Sequence, residues 1–370
     1  MAKYNWQQKD WPQFKFSITE VEDLLHAFAA KLGRVSGILD ALPEETQQDV
    51  MVDIILSEAI KTSEIEGEFP NRKEVLSSIR MNLGLLKRTE SIKDKSAANL
   101  GKLMIDVRNT CHEPLTENKL FEWHQLLLSE TKGLAVSKWR KHAEPMQVIS
   151  GAIGKEKVHF EAPPSSLVPK EMKRFITWFN ETAPGGKNEI KIGPIRAAIA
   201  HLYFESIHPF EDGNGRIGRA IAEKALSQTV GQPVMQSLSK TIESKKRLYY
   251  ESLEKAQLSN EITAWITYFV NTLLEAQIEA ETQIDFILKK TKFFIRFQSN
   301  LNDRQLTVVK RMMKEGPIGF EGGMNAKKYM SITKTSKATA TRDLQQLLEI
   351  GAFILSGQGG GRSTSYLLNV

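Results

Sequence analysis

Most of the chemistry-bearing residue types of this chain gather in one stretch, His208-Pro209-Phe210-Glu211-Asp212-Gly213-Asn214-Gly215-Arg216-Ile217-Gly218-Arg219. His208 carries the one side chain here whose ordinary pKa suits proton abstraction near neutral pH. Gly213 and Gly215 let the backbone come close to a phosphate, and Asn214 is expected to take the left-handed conformation that completes a nest of N–H groups. Arg216 and Arg219 are three apart and share one face of a first helical turn. Their guanidinium groups suit bidentate contacts to phosphate. Asp212 is a hard oxygen ligand of the kind Mg²⁺ accepts beside phosphate oxygens and water. The stretch therefore offers a base, a metal ligand, an anion nest and two cations.

Two helices must position these groups. Upstream, Ile195, Ala198, Ile199, Leu202 and Tyr203 fall at helical spacing between Pro194 and Ile207. That helix should end at His208, because Pro209 cannot continue it. Downstream, Ile217, Ala220, Ile221, Ala225 and Leu226 mark a second helix over 215–227. The polar loop then empties onto a helix N-terminus, where unpaired N–H groups and the helix dipole favour an anion. Phe210 is expected to anchor the loop in the core. The plain alternative is a helix–turn–helix corner with a capping Asn and surface arginines.

The stretch fits the pattern HPFx(D/E)GNGRxxR at every specified position, and on it the chain resembles the Fic family. A second segment adds to the likeness. Val50, Val52, Ile54, Ile55, Ala59 and Ile60 predict a helix that stops near Gly67 and Pro70. Read alone, Glu66 is a solvated carboxylate near a helix end. However, Thr62-x-x-x-Glu66-Gly67 is similar to the family's (S/T)xxxE(G/N) inhibitory motif, placed N-terminal to the active loop as in one of its classes. The resemblance implies a salt bridge from Glu66 to Arg219, the arginine that would hold a γ-phosphate. It also implies ATP and Mg²⁺ as cofactors, with Gly213, Asn214, Gly215, Arg216 and Arg219 on the phosphates, Asp212 on the metal and His208 as base. AMP would pass to a Ser, Thr or Tyr hydroxyl of a target protein, or of the chain itself, with Glu66 holding the reaction back.

Weaker signals extend this reading. Short β-like runs at Gln147, Val148, Ile149 and Ser150 and over 158–161 read as a hairpin around 151–155. In the Fic family a hairpin flap in this position pairs with the target segment by strand addition. A helix is expected over 240–258, and by the resemblance Tyr250 and Gln257 would line an adenine pocket, with core packing the competing role for the tyrosines. His112 and His124 have no metal-ligand spacing and read as surface or core residues. Trp6, Trp11, Phe14 and Phe16, with Tyr4 and Pro12, form an aromatic segment expected to fold onto the main body, helical from Ile18. It resembles the N-terminal segment of one Fic subgroup.

Composition bounds the rest. The 370 residues carry a net charge of +6 and one cysteine, Cys111, so no intramolecular disulfide is available and a reducing cytosol is expected. No run of eighteen apolar residues occurs, and the first residues lack a signal peptide's apolar core, so a cytoplasmic protein without a membrane partner is expected. Residues 293–370 contain eleven basic and five acidic residues. Helical patterns over 302–314, 326–330 and 336–350, then strands over 352–356 and 363–368 around a glycine-rich 357–361, predict a winged helix. Its third helix would offer Lys337, Thr339, Thr341 and Arg342 to a DNA groove, with a protein-interaction or substrate-positioning module as the other reading.

The expected fold is mainly α: a Fic-fold helical bundle with a small β-hairpin flap, followed by a C-terminal winged helix-turn-helix domain. The expected domains are 1–40 (a Fic-associated segment), 41–292 (catalytic, with the inhibitory helix at 46–67) and 293–370. The principal expectation is a protein adenylyltransferase restrained by Glu66. Two others stand beside it: a hydrolase that removes AMP using Glu66, and a nucleotide-sensing DNA-binding regulator. By the resemblance a homodimer is an expected partner arrangement, though no residue pattern decides it.

Overall fold

The computed structural model describes residues 3–86, 93–131, 133–150, 157–356 and 364–370. The chain is mostly helical and groups into two compact units, 1–36 with 43–280 and 37–42 with 281–370. In chain order the first helices are α1 (Glu22–Asp40), α2 (Glu44–Ile65), α3 (Arg72–Asn82), α4 (Lys95–Asn109) and α5 (Glu117–Leu128). A two-stranded sheet follows, β1 (Gln147–Ser150) and β2 (Lys157–Glu161), then α6 (Val168–Glu181), α7 (Gly193–Ile207), α8 (Asn214–Val230), α9 (Leu238–Ser244), α10 (Lys246–Ala256) and α11 (Thr263–Phe297).

Helix α7 is the axis of the first unit. All fifteen of its residues are buried, as expected of a helix that other elements surround. Tyr203 meets Trp11, Phe14, Phe175 and Trp178, and His201 stacks on Trp265. Its one guanidinium, Arg196, is paired on every side: Phe179 O, Ala225 O, Gln228, Thr182 and Thr229 all accept from it. Burial pushes that guanidinium down to about 10. A buried charge is tolerated only with such partners.

The aromatic N-terminal segment does lie on this body. Asn5 Nδ2 donates to Ser206 Oγ at 2.8 Å, two residues before His208. Trp6 Nε1 donates to Glu161 O at 2.8 Å, and Tyr4 packs edge-on to Phe160. The segment thus ties the end of α7 to β2. Helix α1 begins at Glu22 rather than Ile18: Ser17 N is taken by Thr263 Oγ1 and Val21 N closes a turn on Ile18 O, which commits the intervening backbone. Glu22 and Asp23 then fill the first turn, where the dipole favours acids.

The single helix expected over 240–258 is two. Lys245, at φ −131° and ψ 35°, is outside the helical region and separates α9 from α10. Ser244 reinforces the break by donating to Thr241 O at 2.8 Å. The β1–β2 pair is antiparallel, with Gln147 opposite Glu161 and Ser150 opposite Lys157, and its register slips between Val148 and Ile149. The expected turn at 151–155 lies outside the described residues.

The second unit contains α12 (Asp303–Met313), α13 (Ala326–Thr333), α14 (Lys337–Glu349) and the antiparallel pair β3 (Phe353–Leu355) and β4 (Tyr366–Leu368). Ser336 caps α14 through Thr339 N. Its core gathers Phe293, Phe297, Val308, Met312, Tyr329, Leu344, Leu347 and Phe353. Asp343, almost fully buried, is held by Arg304 and the Tyr329 hydroxyl. The glycine-rich 357–361 lies outside the described residues.

Candidate active site

The segment linking α7 to α8 is built by backbone geometry. His208 ends α7 in the left-handed region at φ 50°, with its N–H still closing on Phe204 O. Gly213 is left-handed as well, at φ 80°, and Asn214 opens α8 in helical conformation. This corrects the expectation for Asn214. Its amide is used across the loop instead: Oδ1 accepts from Phe210 N and Nδ2 donates to Phe210 O, both at 2.9 Å. Glycine takes the positive φ because it lacks a Cβ, which leaves Asn214 free to lock the turn. The outcome is still a loop delivering backbone N–H groups onto a helix start.

Three buried side chains hold this loop, and none belongs to the sequence motif. Phe210 is fully buried against His124, stacked at 4.0 Å, and against Trp139 at 5.0 Å. His124 Nδ1 accepts from Ser137 N at 3.1 Å, so its proton is on Nε2, which donates to Asp212 O at 3.2 Å. Burial holds this imidazole below its ordinary pKa and keeps it neutral. Arg140 Nε donates to His208 O at 2.8 Å, and its other nitrogens reach Pro163 O, Ser165 and Ile207 O. Burial brings that guanidinium down to about 10. Nothing in the spacing of His124 or Arg140 marks them. Their distance from the loop in sequence, 88 residues from His124 to Asp212 and 68 from Arg140 to His208, hides them.

A cavity of about 720 Å³ opens over the loop. Its wall includes His208, Asp212, Gly213, Asn214 and Gly215 from the loop, and Glu66 and Gly67 from the end of α2. Gln147, Val148 and Ile149 come from β1, and Tyr250 and Gln257 from α10 and its end. These sequence-chosen residues therefore share one cavity. Ser150 pairs with Lys157 through its backbone. Tyr250 is partly exposed to the cavity. Gln257 is buried, with Nε2 donating to Glu205 O at 3.2 Å.

Both arginines lie behind that wall rather than on it. Arg219 is buried and grips the end of α2: Nε donates to Thr62 Oγ1 at 2.8 Å, and Nη2 to Thr62 O at 2.8 Å and to Glu66 Oε1 at 2.7 Å. Burial opposes its charge, but Glu66 overcomes that and holds the guanidinium protonated. Arg216 is also buried and pairs with Glu68, its other nitrogen 3.8 Å from Asp212. Glu66 caps α2, and Gly67 follows at φ 82°, a helix stop that lets the carboxylate turn back over α8. Gly215 must be glycine here, since a Cβ would sit 2.3 Å from Glu66 Oε1.

Asp212 is half exposed at the cavity edge, with Oδ1 accepting from Gly213 N at 2.6 Å. Among the described residues no group of three or more His, Cys, Asp or Glu side chains is placed to hold a metal ion by itself. One carboxylate beside a phosphate nest still fits Mg²⁺, which commonly takes one or two carboxylates and completes its shell with phosphate and water. No helix among the described residues is long and apolar enough to cross a membrane.

The geometry defines a class: a mainly helical protein with an anion-binding loop at a helix start, a histidine at its rim and a cavity above it. Residues 114–226 match the Fic/DOC family, and residues 4–85 match a domain of unknown function, DUF4172. Residues 114–226 thus form a Fic domain. It is 27% identical over 153 residues to protein adenylyltransferase fic-1 of Caenorhabditis elegans, covering 40% of this chain and 25% of that protein. Against a probable protein adenylyltransferase of Aquifex aeolicus the identity is 34% over 96 residues, 26% of this chain and 25% of that one. The chain thus spans about a quarter of the length of these curated relatives. A Fic family protein of Desulfovibrio desulfuricans has the same fold, with a TM-score of 0.53, 19% identity and coverage of 97% of this chain and 98% of that one. A Fic domain-containing signalling protein of Bacteroides thetaiotaomicron also aligns with a TM-score of 0.53, at 20% identity, over 73% and 97%.

Proposed function

We propose that this protein transfers AMP from ATP to a hydroxyl of a target protein and that Glu66 restrains the transfer. The observation that carries the reading is the pairing of Glu66 with Arg219 at 2.7 Å, on the rim of the cavity that also takes in His208 and the Gly213–Gly215 loop. The α- and β-phosphates would rest on the N–H groups of that loop. Arg219, once released, would meet the γ-phosphate. Asp212 would be the protein ligand of Mg²⁺, and the ion would supply charge neutralisation on the phosphates. His208 takes the proton of the incoming Ser, Thr or Tyr hydroxyl. The hydroxyl oxygen forms a bond to the α-phosphorus as the bond from that phosphorus to the bridging oxygen breaks, and pyrophosphate leaves. Catalysis of this kind is positioning plus charge stabilisation. Tyr250 and Gln257 would line the adenine site, and β1 would pair with the target backbone. The names of the curated relatives support the reaction class.

The test compares wild type, Glu66→Gly and Glu66→Gly/His208→Ala, each with Mg²⁺ and ATP labelled at the α-phosphate. Label on protein in Glu66→Gly, weak in wild type and absent from the double variant, is the expected result. No label in any variant overturns the reading. It would turn attention to the reverse reaction, in which Glu66 positions a water that removes AMP.

For residues 293–370 the order of three helices and an antiparallel strand pair supports a winged helix. Lys337, Thr341 and Arg342 are exposed on α14 and Thr339 is half-buried. DNA is the partner that the basic excess suits. Salt-dependent binding of duplex DNA by the whole chain, weakened by Arg342→Ala, is the expected outcome, and binding unaffected by salt overturns it.

A further inference from the structure

Beside His208, on the wall of the same cavity, lies a carboxylate that the sequence motif does not include. Glu205 is one helical turn upstream on α7, only 4% exposed, and its Oε2 is 3.5 Å from His208 Nδ1. That is ion-pair range but longer than a closed hydrogen bond, and catalytic contacts of this sort often tighten only when the site is filled. Among the described residues, His208 Nδ1 is buried and has no hydrogen-bond partner, and Glu205 Oε1 has none either. His208 lines the cavity while its Nδ1 edge is inside, so Nε2 is the nitrogen left to face a substrate.

The main chain fixes the point from which the ring projects. The left-handed conformation of His208 folds its side chain back over the last turn of α7. Arg140 and the α7 backbone fix its carbonyl and N–H. Glu205 is closely packed: a Cβ at position 218 would come within 2.3 Å of its Oε1, so Gly218 leaves room for the carboxylate.

We propose that Glu205 is the positioning residue of this site, accepting the Nδ1 proton of His208 so that the unprotonated Nε2 faces the substrate hydroxyl. The inference rests on His208 being the base. A buried carboxylate serves an imidazole in two ways, by selecting the tautomer and by stabilising the imidazolium that forms when the proton arrives. The charged groups facing Glu205 are His201 on its own helix, His208 from the loop and Arg219 from α8, with Glu66 beyond Arg219. Burial alone would raise the Glu205 carboxyl, but His208, His201 and Arg219 outweigh it and hold the group below its ordinary value, ionised at neutral pH. His201 is burial-depressed and neutral, with Nε2 2.8 Å from the Tyr249 hydroxyl, so it does not compete as a cation.

The decisive experiment is a ¹⁵N–¹H correlation spectrum of the histidine side chains of the full chain, recorded against pH for wild type, Glu205→Asp and Glu205→Gln, with His208→Ala for assignment. We expect the neutral form of wild-type His208 to carry its proton on Nδ1, and the Nδ1–H signal to move in Glu205→Gln, where the charged acceptor is lost. In a Glu66→Gly background, labelling by Glu205→Gln should fall about 100- to 1000-fold, and Glu205→Asp should recover part of the rate. Nε2-protonated His208 in wild type, or an Nδ1–H signal unmoved in Glu205→Gln, overturns the proposal even if the variant enzyme is slow. If Glu66→Gly itself transfers no label, the reading of the reaction fails, while the wild-type spectrum still decides the role of Glu205.

Discussion

Two pairs of titratable side chains meet at the same cavity, and they are made differently. His208 and Glu205 are three residues apart on one helix end, 3.5 Å from each other, and both come from the α7 turn. Arg219 and Glu66 are 153 residues apart, 2.7 Å from each other, and join α8 to the end of α2. The first pair is joined by the backbone of a single helix turn. The second joins an almost fully buried guanidinium to a carboxylate that keeps 29% of its side-chain surface exposed and sits on the last turn of a helix. Helix ends open at far lower free energy than helix centres. On the proposed function, the base would be held within one helix end, while the phosphate side would be gated by the packing of α2 on α8.

The largest effect that separates the two pairs is expected at the base. His208→Ala in the Glu66→Gly background should lower labelling by at least about 10³-fold while nucleotide affinity, measured by calorimetry, stays within about threefold. Loss of affinity instead would place His208 on the nucleotide. Next, Glu66→Gly should raise both labelling and ATP affinity by roughly 10- to 100-fold, a coupling of about 1–3 kcal/mol, since it frees Arg219. Unchanged affinity would mean that the pair does not gate the phosphate site. Thr62→Ala removes one acceptor of Arg219 while Glu66 remains, leaving a buried Nε–H without a partner. It should cost about 1–3 kcal/mol in a denaturant titration and loosen the gate less than Glu66→Gly does.

The smallest effect is on the acid limb of stability. The Glu205 carboxyl is held below its ordinary value in the folded chain, so the stability it contributes is complete above about 4.5, the ordinary value, and is lost as the pH falls through the folded value. Glu205→Gln should flatten the fall of thermal midpoint below that pH and leave the fall due to other carboxylates. An unchanged slope would mean that Glu205 is neutral in the fold.

The contrast also separates what sequence and structure each supplied. The loop was legible because its chemistry is local: proline, two glycines and paired arginines act within one turn, and apolar periodicity placed α7 and α8 to within a few residues. The Thr62–Gly67 segment was legible only through its likeness to a family motif, since a carboxylate at a helix end has no inherent partner. Its contact with Arg219 is a product of how α2 packs on α8. Asn214 was assigned the wrong conformation because both Asn and Gly tolerate positive φ, and only the closed loop shows that Gly213 takes it while the Asn amide ties down Phe210. Lys245 gave no sign of breaking a helix, as lysine is a good helix former.

The sequence by itself determined the elements and the residues able to do chemistry, because helix periodicity, proline stops and the loop's residue types act over a few positions. The tertiary structure alone decided which charges are buried and with whom. Glu205 meets His208, His124 and Arg140 hold the loop, and Arg216 turns to Glu68, because burial and long-range packing, which no local pattern encodes, set those contacts.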